Sequence, residues 1–470
     1  MHSNKKIKTI SRSSDSFVAV KSGETQRLPR NLDPELHPFE RAREYTRALN
    51  ATKMERMFAK PFIGQLGDGH VDGVYSIAKN LHSLSSLATG SGDGVIKLWD
   101  MSNRSDSFSA QAHDGIVTGL TMTPQGKLLS CANDKTVKLW NIDSSNRGSN
   151  NEPLKTYLGN GGFKGIDHHY SENRFVTAGD TVELWDSERS KSVSSLSWGA
   201  DAVSAVRFNK TETSIVASAG SDRSIVIYDL RTSSPVQKLV STLATNCIAW
   251  NPMEAFNFAA GNEDHNIYLY DMRKLSRSLN VYKDHVAAVL DVDFSPTGQE
   301  LVSGSYDRTI RIYRAREGHS REIYHTKRMQ RVFCVKFSMD SKYIVSGSDD
   351  GNVRLWRSNA SERAGVKSVK QRTQLEYDDA LKERFKHMPE IRRISRHRHI
   401  PQPVKKAGEI KRIELNSIKQ RTENLRRHSK KGAVPYQSER EKHIIGVAFK
   451  DDEKKPKKES KLADEIDETE

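Results

Sequence analysis

Short apolar runs with polar residues between them recur along the middle of the chain, and their spacing is regular. Val289-Leu290-Asp291-Val292-Asp293-Phe294 alternates with period two, the pattern of a half-buried strand. Val95-Ile96-Lys97-Leu98-Trp99, Val137-Lys138-Leu139-Trp140 and Ile310-Arg311-Ile312-Tyr313 are rich in the β-branched and aromatic residues that suit a pleated surface. Turn clusters such as Gly92-Asp93-Gly94 and Ser348-Asp349-Asp350-Gly351 precede these runs; glycine supplies unusual backbone angles there and aspartate closes the turn. Seven runs end on an aromatic residue. Trp99, Trp140, Trp185, Tyr228, Tyr270, Tyr313 and Trp356 lie 41, 45, 43, 42, 43 and 43 residues apart. A repeat of about 40–45 residues marks an array of four-stranded blades that bury their faces only against one another.

An aspartate stands six residues before the aromatic in six repeats (Asp93, Asp134, Asp222, Asp264, Asp307, Asp350) and five before it in the third, at Asp180. The unit resembles the WD40 repeat, and the resemblance implies an all-β fold, one seven-bladed β-propeller over residues 61–356. Phe62-Ile63-Gly64-Gln65-Leu66, just ahead of the first Gly-His pair, is expected to be the outer strand of the seventh blade, latching the first repeat to the last. In WD40 proteins, the resemblance implies, this aspartate joins a buried tetrad of His, Ser/Thr, Asp and Trp. The first blade supplies His70, Thr89, Asp93 and Trp99, and the second His113, Ser130, Asp134 and Trp140. The sixth keeps His285, Ser303 and Asp307 with Tyr313 in place of Trp; the other four lack a clear His partner. A rank of carboxylates can suggest acid–base catalysis. A buried carboxylate held by several donors also stabilises a turn and satisfies costly polar groups, and these are read as structural.

Composition adds bounds. The propeller takes most of the 470 residues, and a domain near 300 residues buries roughly three-quarters of its unfolded surface, so it needs no staples. Cys131, Cys247 and Cys334 fall in separate blades without CxxC pairing and are expected to be buried reduced thiols. No apolar run reaches membrane-spanning length, and Met1–Ser14 is basic and polar without the apolar core of a signal peptide. These features point to a reducing intracellular compartment.

The formal net charge of +15 is unevenly spread. Residues 61–356 carry 32 Lys/Arg against 33 Asp/Glu, residues 1–60 carry 13 against 7, residues 357–450 carry 25 against 11, and residues 451–470 carry 5 against 9. A near-neutral propeller thus bears a strongly basic extension, an asymmetry that points to nucleic acid or an acidic partner. Four segments follow: an N-terminal extension over 1–60 with a helix over 39–58, the propeller over 61–356, a basic helical domain over 357–450, and a charged tail over 451–470.

The basic segment has helical periodicity. Leu375, Tyr377, Leu381, Phe385 and Met388 are spaced for an amphipathic helix ending at Pro389. After Pro401 and Pro403, Ile410, Ile413, Ser417, Ile418, Arg421 and Leu425 suit one helical face, with Gly432 as a C-terminal stop. Ile444–Phe449 reads as a strand. The candidate polyanion-binding residues are Arg392, Arg393, Arg396, Arg398, Lys405, Lys406, Lys411, Arg412, Arg426, Arg427, Lys430 and Lys431. Arginine's planar fork binds phosphate bidentately, and four arginines within 392–398 favour RNA over a merely solvated face. Base-specific readout is not indicated: no RNP1-type, KH or zinc-finger pattern occurs.

Flanking motifs are more specific than the repeats. The N-terminal stretch carries Leu28-Pro29-Arg30-Asn31, Leu36-His37-Pro38-Phe39-Glu40 and Arg43-Glu44-Tyr45-Thr46-Arg47-Ala48-Leu49-Asn50-Ala51-Thr52-Lys53. The C-terminal stretch carries Pro389-Glu390-Ile391-Arg392-Arg393-Ile394, Arg396-His397-Arg398-His399, Arg427-His428-Ser429-Lys430 and Ser438-Glu439-Arg440-Glu441-Lys442-His443. Over about residues 4–450 the chain resembles the suppressor-of-fibrillarin WD-repeat family. The resemblance implies a non-enzymatic ribosome-biogenesis factor of the nucleus and nucleolus. Such a factor is a scaffold of the small-subunit processome, working with pre-rRNA and the box C/D snoRNP in small-subunit rRNA maturation. Lys454-Lys455-Pro456-Lys457-Lys458 is the candidate import signal.

Two other function classes have motifs to compare. Tyr228-Asp229-Leu230-Arg231 and Tyr270-Asp271-Met272-Arg273 resemble the WDxR box by which some propellers dock on a cullin-RING ubiquitin ligase adaptor, so a substrate receptor docking through Arg231 and Arg273 is the alternative function. The plainer reading of Asp-x-Arg is an ion pair within a turn. An enzyme is disfavoured: no GxxxxGK[ST], GxSxG or HExxH motif occurs, and neither His168-His169 nor His397/His399 has a ligand set beside it. No catalytic residue, metal or cofactor is expected.

Overall fold

The computed structural model describes Glu35 and residues 38–142, 152–199, 202–362, 365–430 and 432–449. These separate into two compact units, one built from residues up to Pro61 together with Asn359–Arg398, the other from Phe62–Ser358 together with the chain from His399 onward.

The larger unit contains seven antiparallel sheets of four strands or more, a seven-bladed propeller. In the first blade, strands Val74–Lys79, Ser86–Ser91, Val95–Asp100 and Ser105–Gln111 follow one another as a meander. The seventh blade is closed by Phe62–Gln65, which pairs with Val353–Arg357 in the register Phe62↔Trp356 and Gln65↔Arg354. The expected latch is present. The repeat aromatics are buried, Trp99 and Trp185 at 1% and 2% exposure, and each blade's apolar faces pack against its neighbours in shared clusters. The turn before the repeat aromatic takes a left-handed residue in every blade but the third. Gly94 (φ +84°) holds this position in the first blade, where a Cβ would meet the His113 carbonyl oxygen at 1.9 Å. Lys135, Arg223, His265 and Arg308 take the same conformation without being glycine. The three cysteines are free and buried, and burial pushes the Cys131 thiol up to about 12.

Innermost strands carry a further regularity. In every blade but the third, the pairing with the second strand skips one residue near the start: Tyr75, Thr118, Ser204, Asn246, Leu290 and Phe333. Such a bulge re-aims the side chain of the skipped residue.

The smaller unit holds three helices, α1 (Glu40–Met57), α2 (Val369–Arg384) and α3 (Pro389–Arg396). Ala48, Leu381 and Ile391 form its buried core, with Tyr45, Leu49 and Phe385 against it. Glu55–Lys382 at 2.9 Å and Glu44–Arg384 at 2.7 Å tie α1 to α2. Helix α2 begins in a capping box of Ser368 and Gln371, six residues before the first apolar residue of the sequence pattern. Pro389 opens α3 at its first turn, where a proline has no amide bond to lose.

The remaining C-terminal chain belongs to the larger unit. Helix α4 (Gln402–His428) has no buried residue. Ile444–Phe449 adds a fifth strand to the fourth blade, antiparallel to Ser234–Ser241 with Leu239 opposite Val447. Before it, Arg440 accepts the Ser278 amide and Lys283 pairs with Glu439.

Candidate nucleic-acid interface and docking residues

The polar networks of the blades divide according to one residue. In the second blade, His113 Nδ1 lies 2.9 Å from Asp134 Oδ2 and Nε2 lies 2.8 Å from Ser130 Oγ, which also accepts Trp140 Nε1 at 3.0 Å. The sixth matches it, with His285 Nδ1 2.8 Å from Asp307 and Nε2 2.6 Å from Ser303; the Tyr313 hydroxyl donates to the Lys283 carbonyl. Although burial opposes it, the His285 ring and Arg311 hold the Asp307 carboxyl well below the usual range. In both blades a threonine two residues after the aspartate donates to the carboxylate, Thr136 at 2.7 Å and Thr309 at 2.6 Å, turning its second oxygen to the histidine.

The first blade corrects the sequence expectation. His70 Nε2 reaches Thr89 at 2.7 Å and Trp99 Nε1 donates to Thr89 at 2.7 Å, but Asp93 accepts only its own turn amide, from Val95 at 3.1 Å. His70 Nδ1 is buried without a partner. Position 95 is valine, so no hydroxyl orients the carboxylate, and the tetrad stops at three members. Burial, helped by the Lys97 ammonium, pushes His70 down to about 4.

Three of the four blades without histidine use other donors. Lys238 meets Asp222 at 2.9 Å in the fourth. The Tyr268 hydroxyl donates to Asp264 in the fifth. Arg354 bonds Ser348 at 2.7 Å and Asp350 at 3.0 Å in the seventh. Lys238, Tyr268 and Arg354 share neither a residue type nor one offset from their aspartates, so no single repeat pattern marks them.

The basic candidates fall into two groups. Arg392, Arg393 and Arg396 are exposed on α3 of the smaller unit. Lys405, Lys406, Arg412, Arg427 and Lys430 are exposed on and just after α4 of the larger. No ion pair among the described residues involves any of these eight, so their charges are open to an external anion. Three others are committed. Arg398 donates back to the carbonyls of Ser395 at 2.5 Å and His397 at 3.0 Å, closing the end of α3. Lys411 donates to the His285 carbonyl at 3.0 Å, half-buried against the sixth blade, and burial lowers its pKa. Arg426 lies over the Tyr436 ring, 5.2 Å from its centre. Lys431 lies outside the described residues, as does the lysine-rich run at 454–458.

Packing of α4 also departs from expectation. Ile410, Ile413, Ile418 and Leu425 are 54–65% exposed; the helix instead turns Val404, Ala407, Gly408 and Lys411 inward. Gly408 faces Val286 of the sixth blade, where a Cβ would make an ordinary contact at 3.9 Å. The segment that follows is anchored more firmly. His443 stacks on Tyr268 with ring centres 3.6 Å apart, and burial pushes it down to about 4. A lone histidine after a charged run carries no sequence signal of such a contact.

Arg231 and Arg273 each close on the aspartate two residues earlier. Arg231 reaches Asp229 at 3.3 and 3.0 Å, and Arg273 reaches Asp271 at 3.1 and 2.9 Å. Both arginines remain largely exposed, at 75% and 60%, on adjacent blades. The local ion pair and the presentation of a guanidinium on the surface therefore coexist. Arg273 also lies 4.2 Å over the Phe256 ring.

Comparison with known proteins agrees with this architecture. Residues 62–100, 105–141, 190–229, 276–314 and 318–357 match the WD domain, G-beta repeat, and residues 358–444 match the Sof1-like domain. The chain is 60% identical over 468 residues to Protein SOF1 of Saccharomyces cerevisiae, covering 95% of each chain. It is 60% identical over 442 residues to Protein sof1 of Schizosaccharomyces pombe, covering 94% of this chain and 99% of that one. It is 50% identical over 443 residues to the DDB1- and CUL4-associated factor 13 of Xenopus laevis, again covering 94% and 99%. With repeats, C-terminal domain and near-full-length identity in agreement, the chain belongs to the Sof1-like family of WD-repeat proteins.

Proposed function

We propose that this protein is a non-enzymatic scaffold in ribosome biogenesis, acting in the nucleolar small-subunit processome with pre-rRNA and the box C/D snoRNP. The observation that carries the RNA part is the set of eight exposed Lys and Arg side chains on α3 and on or just after α4, none of them in an ion pair among the described residues. Unpaired surface cations of this density release counterions on meeting phosphate, which gives affinity without sequence preference. The propeller supports the protein part: seven interlocked sheets hold loops on two faces in fixed positions.

The test is in-cell RNA crosslinking of the full-length chain against a variant with Arg392, Arg393, Arg396, Lys405, Lys406 and Arg412 changed to Glu. Crosslinks in pre-rRNA or its guide RNA that fall at least tenfold in the variant, with the propeller folded, support the proposal. Unchanged crosslinking rejects the assignment to these residues.

A second reading has its own support. Arg231 and Arg273 present guanidiniums on neighbouring blades, and several relatives are named DDB1- and CUL4-associated factor 13. As a cullin-RING ligase receptor, the chain would co-purify with the ligase adaptor, and Arg231→Ala with Arg273→Ala would abolish this while leaving the RNA crosslinks in place.

A further inference from the structure

The six bulged positions of the inner strands occupy equivalent places at the mouth where those strands begin. In three blades the skipped residue is small or polar and bonds to the next blade. Thr118 donates to the Phe163 carbonyl at 2.7 Å, Ser204 to the Thr245 carbonyl at 3.3 Å, and Asn246 to the Val289 carbonyl at 2.9 Å. The sixth blade, with Leu290, lacks that bond, and the first and seventh blades replace it. Their skipped residues are Tyr75 and Phe333, stacked face to face across the blade boundary with ring centres 4.6 Å apart and planes 9° apart. The inter-blade bond has moved one residue on, to Ser76 and Cys334, which donate to the Val117 and Val74 carbonyls. The hydrogen bonding between these blades thus does not depend on the rings. They are half-buried, with one part turned to solvent.

The surroundings suit a cation. Tyr306, 39% exposed, meets Phe333 edge-on at 6.2 Å. Its own face already carries a guanidinium, that of Arg331 at 4.8 Å. Asp72 and Asp349 flank the stack, both exposed, and the Tyr75 hydroxyl's pKa is raised by burial and by these two carboxylates, against the opposing charge of Arg331. Asp72 accepts its neighbouring amide from Gly73 at 2.7 Å. Among the described residues neither carboxylate forms an ion pair. Close approach is built in: a Cβ on Gly92 would meet Asp72 at 2.4 Å and Tyr75 at 2.9 Å.

We propose that Tyr75, Phe333 and Tyr306, with Asp72 and Asp349, form a docking site for an arginine side chain on an extended segment of a partner protein. A guanidinium stacks on an aromatic face while its edge donates to a carboxylate, a combination an ammonium cannot make. A nucleobase would also stack on such rings, but its phosphates would meet two unpaired carboxylates, so a basic peptide fits better. The site is independent of the basic helices and of the role proposed for them.

The experiment is fluorescence anisotropy with the full-length chain and a labelled peptide alternating glycine and arginine, beside its lysine counterpart and a labelled oligo-uridine. Saturable binding of the arginine peptide is expected. Asp72→Asn with Asp349→Asn should weaken it about tenfold, as should Phe333→Leu, which keeps the apolar volume but removes the ring. Asp106→Asn, an exposed carboxylate on an outer strand, should leave it unchanged. The lysine peptide should bind several-fold more weakly. Absence of saturable arginine-peptide binding, insensitivity to the aspartate pair, equal affinity for the lysine peptide, or displacement by oligo-uridine would each overturn the proposal.

Discussion

The three-membered tetrad of the first blade can be completed by one substitution. Val95→Thr places a hydroxyl where Thr136 and Thr309 stand in the complete networks, two residues after the aspartate and beyond the same left-handed turn residue. The hydroxyl should take one Asp93 oxygen and turn the other toward His70 Nδ1, which is now buried without a partner. An added hydrogen bond contributes about 1 kcal/mol net, and satisfying a buried orphan relieves about 1–3 kcal/mol. Replacing a methyl by a hydroxyl at a half-buried position loses about 1 kcal/mol of burial. The balance is a gain of about 1–3 kcal/mol, which raises the melting temperature by about 2–6 °C in a domain of this size. The mirror substitution, Thr309→Val, should lose about 2 kcal/mol because Asp307 is only 8% exposed and cannot turn to water. Urea unfolding of both variants, with NMR titration of His70, forms the assay. A carboxylate brought to the ring should raise His70 above its present value of about 4. If Val95→Thr lowers the urea midpoint, or if His70 titrates as before, the assignment of the threonine hydroxyl as the orienting group is wrong.

Acid should destabilise the propeller in a defined window. His70 and His443 are both lowered from 6.5 to about 4 by burial, so the unfolded chain binds their protons more readily. The stability is present above the unfolded pKa and is lost as pH falls from about 6.5 to about 4, up to about 3 kcal/mol for each ring. His443→Phe, which keeps a ring on Tyr268, should remove its share of the loss between about pH 6.5 and about pH 4 in urea unfolding; an unchanged slope would show that the ring is not the titrating group. Lys411→Met removes the charged donor to the His285 carbonyl and should speed limited proteolysis of α4 about tenfold without shifting the propeller's unfolding. The three buried thiols should react with a thiol reagent only at the rate of global unfolding, and rapid labelling of the native chain would contradict their placement.

The seven blades were readable in the chain because each repeat must solve the same burial problem, so an aromatic and its turn aspartate return at a fixed spacing. Closure by Phe62–Gln65 was readable for the same reason, since a propeller's last sheet needs a strand that the last repeat does not supply. Helix periodicity in the basic extension was visible too, but its consequence was not. The sequence shows that Ile410, Ile413, Ile418 and Leu425 share a face; only the structure shows that Gly408 and Lys411 face inward and leave those four in solvent. Likewise, residues 357–450 read as one basic module, whereas their contacts assign Asn359–Arg398 to a unit with α1 and the chain from His399 to the propeller's unit. Which cations stay free is also a tertiary matter: Arg396 and Arg398 look alike in sequence, and only the latter folds back on its helix end. Local pattern determines what each segment can form because it depends on neighbours along the chain. Whether His70, a lysine at 411 or the rings of Tyr75 and Phe333 find a partner depends on residues tens to hundreds of positions away, and only the folded chain brings those together.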